Sequence, residues 1–292
     1  MPSRPSTIVV PILVLLVAML SVQAGASLAK QLFPAVGASG ATAFRLVFAS
    51  LIMAALLRPW RARHTRGSLR PLLLYGIVLG AMNLMFYLSL RTIPLGIAVA
   101  LEFTGPLALA VFSSRRKLDF LWVLLAALGL WLLLPLESAH TRLDPLGMAL
   151  ALGAGVCWAL YIVFGQRVSS DYGMQGAALG TAIAALCIAP IGIVQAGSAL
   201  FDVNLLPLAL GMALLSSAIP YSLEMIALAR LPAQTFSILM SVEPAIGALS
   251  GLLFLGERLT TMQWLAMACI MLASIGCAIT VTPRKPVAPT LE

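Results

Sequence analysis

The chain has 292 residues, of which 61% are hydrophobic and only 10% charged, with a formal net charge of +8 from 18 Lys and Arg against 10 Asp and Glu. A soluble domain carries about 45–50% apolar and about 25% charged residues, so this composition excludes a disordered chain, a solenoid and a soluble enzyme and predicts a polytopic membrane protein. The basic residues lie in short segments between apolar runs, where they serve as orientation signals and not as a nucleic-acid surface.

A spanning helix needs about 20 apolar residues, and breaks between spans fall where charge, Pro and Gly cluster. On that basis the predicted spans are 8–28, 40–57, 71–90, 94–113, 119–136, 145–166, 175–196, 204–228, 232–255 and 261–281. The first resembles a signal peptide, with Arg4 ahead of Ile8–Leu20 and Ala24-Gly25-Ala26 placed like a cleavage site. Cleavage would leave an odd number of helices, so an uncleaved first span is favoured. Strands of a membrane barrel are about 10 residues long and alternate in polarity. These runs do neither, so an all-α polytopic fold without a sheet is expected.

With a cytoplasmic N-terminus, thirteen of the 18 Lys and Arg fall inside, including Arg58, Arg61, Arg63, Arg66 and Arg70. Lys30, Arg91, Arg142 and Arg258 fall outside, and Arg45 lies within the second span. Both termini are therefore expected in the cytoplasm, and the 58–70 loop is expected to orient the chain without binding substrate. Cys157, Cys187, Cys269 and Cys277 lie in apolar runs without a CxxC pair, as small hydrophobes do.

The sequence also repeats. At an offset of 138, Leu90–Pro94 falls on Leu228–Pro232, Pro106 on Pro244 and Asp119 on Glu257. Five helices per half is an odd number, so the second half must enter from the opposite side. The expected architecture is ten transmembrane helices as two inverted five-helix repeats, residues 1–138 and 139–292, with a binding site near the midplane between them.

Charges within spans are costly and mark function by default. Glu102 lies mid-span in Leu101-Glu102-Phe103-Thr104-Gly105-Pro106, where Pro106 removes the partner of the Glu102 carbonyl and predicts a broken helix. Glu243-Pro244 repeats the motif in the ninth span; for Glu243, pairing with Arg45 is the alternative to a direct role. Glu224 follows Pro220-Tyr221-Ser222 as a gate or an ion-pair partner. Arg45, about five residues from its helix end, can snorkel outward, pair, or meet substrate. One Arg against three acids leaves at least one carboxylate protonated or exposed to water, which favours proton coupling. Gln23, Asn83, Tyr87, Trp158, Tyr161 and Tyr221 are candidates for neutral hydrogen bonds and aromatic walls, with helix packing beside Ala151–Gly155 the alternative for Trp158 and Tyr161. His64 and His140 fall in loops on opposite sides, and no Gly-x4-Gly-Lys-Ser/Thr loop occurs, so neither a metal site nor ATP hydrolysis is expected.

The runs Gly25–Lys30, Pro94–Leu107, Phe112–Arg116 and Pro220–Leu228 resemble those of the bacterial threonine/homoserine exporters in the drug/metabolite transporter superfamily, which carry paired EamA-type domains. The likeness covers about residues 9–282. It implies an inner-membrane secondary transporter, not an enzyme, that exports small amino acids in exchange for protons and uses no cofactor. Its partners would be the amino acid, the proton and the lipid bilayer, with a homodimer left open. The family fold places a cavity among helices 1, 3, 4, 6, 8 and 9, which suits Gln23, Asn83, Glu102, Trp158, Glu224 and Glu243 and places Arg45 less well.

Overall fold

The computed structural model describes residues 6–61, 69–113, 119–133, 143–220, 223 and 239–280. Among these there is no strand, and their apolar runs are helical. The main helices are α1 (Ser6–Leu57), α2 (Leu69–Ser89), α3 (Leu95–Ser113), α4 (Asp119–Leu133), α5 (Pro145–Tyr172), α6 (Met174–Ala196), α7 (Leu206–Ala213), α8 (Glu243–Leu255) and α9 (Thr261–Thr280). The stretches 10–57, 69–89, 145–168 and 175–201 are long and apolar enough to cross a membrane, and five shorter apolar helices accompany them.

The outward surface of these helices is apolar. Val194 is 83% exposed and Leu186 75%, and such contiguous apolar exposure would drive aggregation in water but suits lipid. The interior holds small residues where backbones approach. Gly76 abuts Ile183, Gly96 abuts Ala248, and Gly105 of α3 meets the backbone of Gly155 of α5. Without a hydrophobic drive between helices in lipid, close van der Waals approach of this kind holds them together.

α1 merges the first two predicted spans. Its 52 residues would run about 78 Å if straight, far beyond a hydrocarbon core of about 30 Å. The helix breaks at Gly37, where φ is 69°, a conformation open to glycine. The two arms fold back on each other: Gly25 of the first packs against the Ser216 backbone, and Arg45 of the second donates to the Ser216 carbonyl at 3.2 Å. In a straight helix residues 25 and 45 would stand about 30 Å apart. The predicted 29–39 loop is thus helix up to a single break, and Lys30 belongs to a helix. α5 likewise continues to Tyr172, and one glycine, Gly173 with φ 56°, joins it to α6.

Pro106 does not break α3, which corrects the expectation from sequence. The helix runs through it, and the Glu102 carbonyl that the proline frees faces Gly155, where a Cβ would stand 2.6 Å away. The second motif does interrupt its span. Leu239 and Met240 are helical, a turn follows at Ser241 and Val242, and α8 starts at Glu243 with Pro244 in its first turn. Proline is tolerated there because a first-turn N–H has no helical partner.

One end of the bundle is tied by polar contacts. Gly256, at φ 66°, ends α8 in the left-handed conformation, and the Glu257 amide donates back to the Gly251 carbonyl. This turn sends the Glu257 carboxylate onto Lys30 Nζ at 2.5 Å and onto the Leu95 amide at 2.8 Å, where it caps α3. The Gly256-Glu257 pair thereby joins α1, α3 and α8. Glu257→Ala should lower the melting temperature in detergent more than Glu257→Gln, because Gln still accepts from Leu95 and loses only the charge. Charge-assisted bonds of this kind contribute about 1.5–3 kcal/mol; equal melting of both variants would show that the capping bond contributes nothing. At the same end Asp144 caps α5, accepting from the Gly147 amide at 3.0 Å. The Thr92 hydroxyl, with these amides, holds the Asp144 carboxyl below the usual range.

Candidate functional site

A cavity of about 180 Å³ lies among α1, α2, α3, α5, the turn after α7 and the start of α8. It holds about six water volumes of ~30 Å³, the scale of one small amino acid and below the ~300–1,000 Å³ of drug-sized pockets. Gln23, Arg45, Asn83, Glu102, Trp158, Tyr161 and Glu243 all line it. Seven side chains singled out from six separate spans therefore converge on one chamber. Tyr221 and Glu224 lie outside the described residues, as do His64, His140 and the Leu228–Pro232 half of the repeat motif.

Arg45 does not snorkel outward: it lines the chamber, for which the family fold had placed it less well. Its guanidinium lies 5.4 Å from the centre of the Tyr87 ring. Nη1 donates to the Tyr87 hydroxyl at 3.3 Å, and Nη2 donates to the Ser216 carbonyl at 3.2 Å. Tyr87, fully buried, supports Arg45 from behind and does not line the wall. A guanidinium held on an aromatic face keeps its orientation and favours planar anions such as carboxylates.

Glu243 stands elsewhere in the chamber, at the first turn of α8, and is 6% exposed. Its Oε1 accepts from Gln23 Nε2 at 3.2 Å. A carboxylate accepts and does not donate, so this bond fixes the Gln23 amide with its oxygen turned away from Glu243. The Gln23 Oε1 has no hydrogen-bond partner among the described residues. Glu102, half-buried on α3, is the second carboxylate of the chamber. Asn83 spends its amide N–H on the Leu79 carbonyl of its own helix at 2.8 Å. Trp158 packs edge-on to Phe103 at 5.5 Å, and the Tyr161 ring stacks on Tyr75 at 4.8 Å. Both rings thus pack against neighbours and face the cavity at once.

Sequence inspection missed Ser216. It lies in a π-turn, Leu214–Ala218, that continues α7. The signal was present as the pair Ser216-Ser217 in an apolar run, where two adjacent hydroxyls have a solvation cost that needs a reason. The apolar lining from Val22, Met82, Phe86, Val99 and Met240 was also unflagged, since nothing in an apolar span separates a wall residue from a packing one.

A cavity of this size that sets one guanidinium and two carboxylates among membrane helices can take a small charged or zwitterionic solute. Residues 145–279 match the model of the EamA-like transporter family. The chain is 58% identical to threonine/homoserine exporter RhtA of Escherichia coli (strain K12) and to its namesake in Salmonella typhimurium (strain LT2), over 97% of this chain and 96% of each relative. It is 29% identical to the uncharacterized inner membrane transporter YedA of Escherichia coli (strain K12), over 78% of this chain and 79% of that one. A solved crystal structure of 19% identity superposes with a TM-score of 0.54 over 94% of this chain and 96% of its own, which bears on the fold alone. The chain belongs to the EamA-like transporter family, with the threonine/homoserine exporters as high-identity relatives. It is a multi-pass membrane transporter, as its composition had indicated.

Proposed function

We propose that the protein exports small amino acids, threonine and homoserine among them, across the inner membrane by exchange for protons. The single observation that carries this reading is a chamber sized for one amino acid that holds Arg45 with Glu102 and Glu243, in a chain 58% identical to threonine/homoserine exporters. Arg45 takes the substrate carboxylate. Glu243, with Glu102, takes the ammonium group through charge-assisted hydrogen bonds. A carboxylate that binds ammonium must first lose its proton, so proton and substrate compete for one group, and that competition is enough to produce antiport. The chamber volume speaks against bulky drugs as cargo.

In this reading the helices form two inverted five-helix repeats, residues 1–138 and 139–292, and both termini face the cytoplasm. The distribution of Lys and Arg supports that orientation. Reporter fusions should place the 58–70 loop and the C-terminal tail inside and the 137–144 loop outside; a periplasmic tail would require an odd number of crossings and end the five-plus-five reading.

The decisive measurement is counterflow in proteoliposomes loaded with unlabelled threonine. Saturable uptake of labelled threonine is expected, with net export accelerated by acid on the periplasmic side. No exchange of threonine or homoserine would refute the substrate assignment, and exchange indifferent to pH gradients would refute the coupling.

A further inference from the structure

Ser216 is a polar residue of the chamber that the transport scheme leaves without a task. Three other buried hydroxyls in helices here bond back to a carbonyl four residues earlier: Ser27 to Gln23, Thr42 to Ala38, Thr181 to Ala177. Such back-bonding is the ordinary resting place of a helical hydroxyl. Ser216 Oγ does not use it. It is 1% exposed and has no hydrogen-bond partner among the described residues, and its residue lines the cavity. Ser39 Oγ is also unpartnered, but Ser39 does not line the chamber.

The local backbone explains the difference. Leu214–Ala218 is a π-turn, which shifts carbonyls and side chains out of α-helical register and recurs at functional sites. It is held from two sides. Ser21 Oγ donates to the Leu215 carbonyl at 2.7 Å, and Gly25, lacking a side chain, lets the first arm of α1 press to 2.7 Å of a virtual Cβ from the Ser216 amide. From the second arm, Arg45 Nη2 holds the Ser216 carbonyl. The Ser216 backbone is therefore held from both arms of α1, with its carbonyl on the guanidinium.

We propose that Ser216 is the specificity-determining residue of this carrier, reading the side-chain hydroxyl of the transported amino acid through its own Oγ. This inference rests on the proposed amino-acid export and deepens it. With the substrate carboxylate on Arg45, a hydroxyl on the β or γ carbon lies three or four bonds from the carboxylate carbon, in reach of an Oγ that belongs to the residue Arg45 already grips. Threonine carries its hydroxyl on the β carbon and homoserine on the γ carbon, so one rigid donor-acceptor beside the carboxylate clamp accommodates both. The ammonium end goes to Glu243, where the unpartnered Gln23 Oε1 can accept a second N–H. A substrate without the hydroxyl leaves Ser216 Oγ buried and unpaired, and a site built around a hydroxyl discriminates strongly against analogues that lack it.

The test is a competition series on the full-length protein in proteoliposomes. Labelled threonine counterflow is inhibited by unlabelled threonine against its hydroxyl-free isostere valine, and by homoserine against 2-aminobutyrate. Wild type should prefer the hydroxylated member of each pair at least about tenfold. Ser216→Ala should cut that preference about tenfold by weakening threonine and homoserine while leaving valine and 2-aminobutyrate as effective as before. Ser216→Cys, which keeps size and a weaker donor, should fall between, and it serves if the alanine variant inserts poorly. Unchanged preference in either inserted variant, with threonine still carried, overturns the role of Ser216 and leaves amino-acid export intact. A wild type that carries valine as well as threonine overturns it too. A wild type that carries neither threonine nor homoserine refutes the export proposal itself.

Discussion

Of Glu243→Gln and Glu102→Gln, one should abolish export driven by a pH gradient and the other should slow it, while both proteins insert at normal levels. Both side chains line the chamber, and Glu243 is almost fully enclosed. Glutamine keeps the volume and the acceptor oxygen but carries no charge and takes up no proton. A hydrogen bond to a charged group contributes about 1.5–3 kcal/mol. Because about 1.4 kcal/mol is tenfold, loss of the ammonium contact should lower transport at low substrate concentration by about 10- to 150-fold. Coupling should respond differently at the two positions. The variant that removes the exchanged proton will run downhill exchange that ignores pH, whereas the other will be slow but still accelerated by outside acid. Measurement of counterflow at several internal and external pH values separates them. Should both variants retain full pH-driven transport, the mechanism is wrong and Glu224 becomes the candidate carboxylate.

Gly105→Ala should be the most disruptive single methylene in the described core. A Cβ there would collide with the Gly155 carbonyl oxygen, and a Cβ on Gly155 would stand 2.6 Å from the Glu102 carbonyl. The two glycines thus let α3 and α5 touch backbone to backbone beside a chamber carboxylate. Overpacking a tight core costs about 1–3 kcal/mol. Here the obstacle is backbone, which cannot rotate away, so the upper end of that range or more is expected. α3 and α5 must separate, which also moves Glu102. Reduced insertion, a lower melting temperature in detergent and weak transport should appear together. Gly211→Ala is the control: nothing lies within 4 Å of a Cβ at that position, so it should be neutral or stabilising by up to about 1 kcal/mol. Equal behaviour of the two variants would show that the α3–α5 approach is not what tightens this part of the bundle.

The contrast between Pro106 and Pro244 shows how far linear sequence carries. The two prolines occupy matching positions beside mid-span acids, but only Pro106, inside α3, removes a helical hydrogen bond; Pro244 lies in a first turn, where no such bond exists. Yet α3 stays helical because Gly155 leaves room for the released carbonyl, while the second motif starts a new helix at Glu243. The outcome depends on what stands opposite the proline, and residue 155 is far from residue 106 in sequence. Arg45 teaches the same lesson: its depth in the span was legible, but Tyr87 and the Ser216 carbonyl turn it inward.

Hydropathy and charge by themselves determined that this chain is a helical membrane protein, roughly where the described helices run, and which polar residues carry a cost that demands a purpose. These are local properties: a run of apolar side chains partitions into lipid whatever its neighbours are, and an ionisable group in such a run is costly wherever the helix packs. Only the tertiary structure decided that Gln23, Arg45, Asn83, Glu102, Trp158, Tyr161 and Glu243 share one chamber, that α1 doubles back at Gly37, and that Ser216 belongs with them. Those outcomes are set by helix rotation, close glycine approach and the register of a π-turn, which arise from contacts between segments as much as 220 residues apart, such as Gln23 with Glu243.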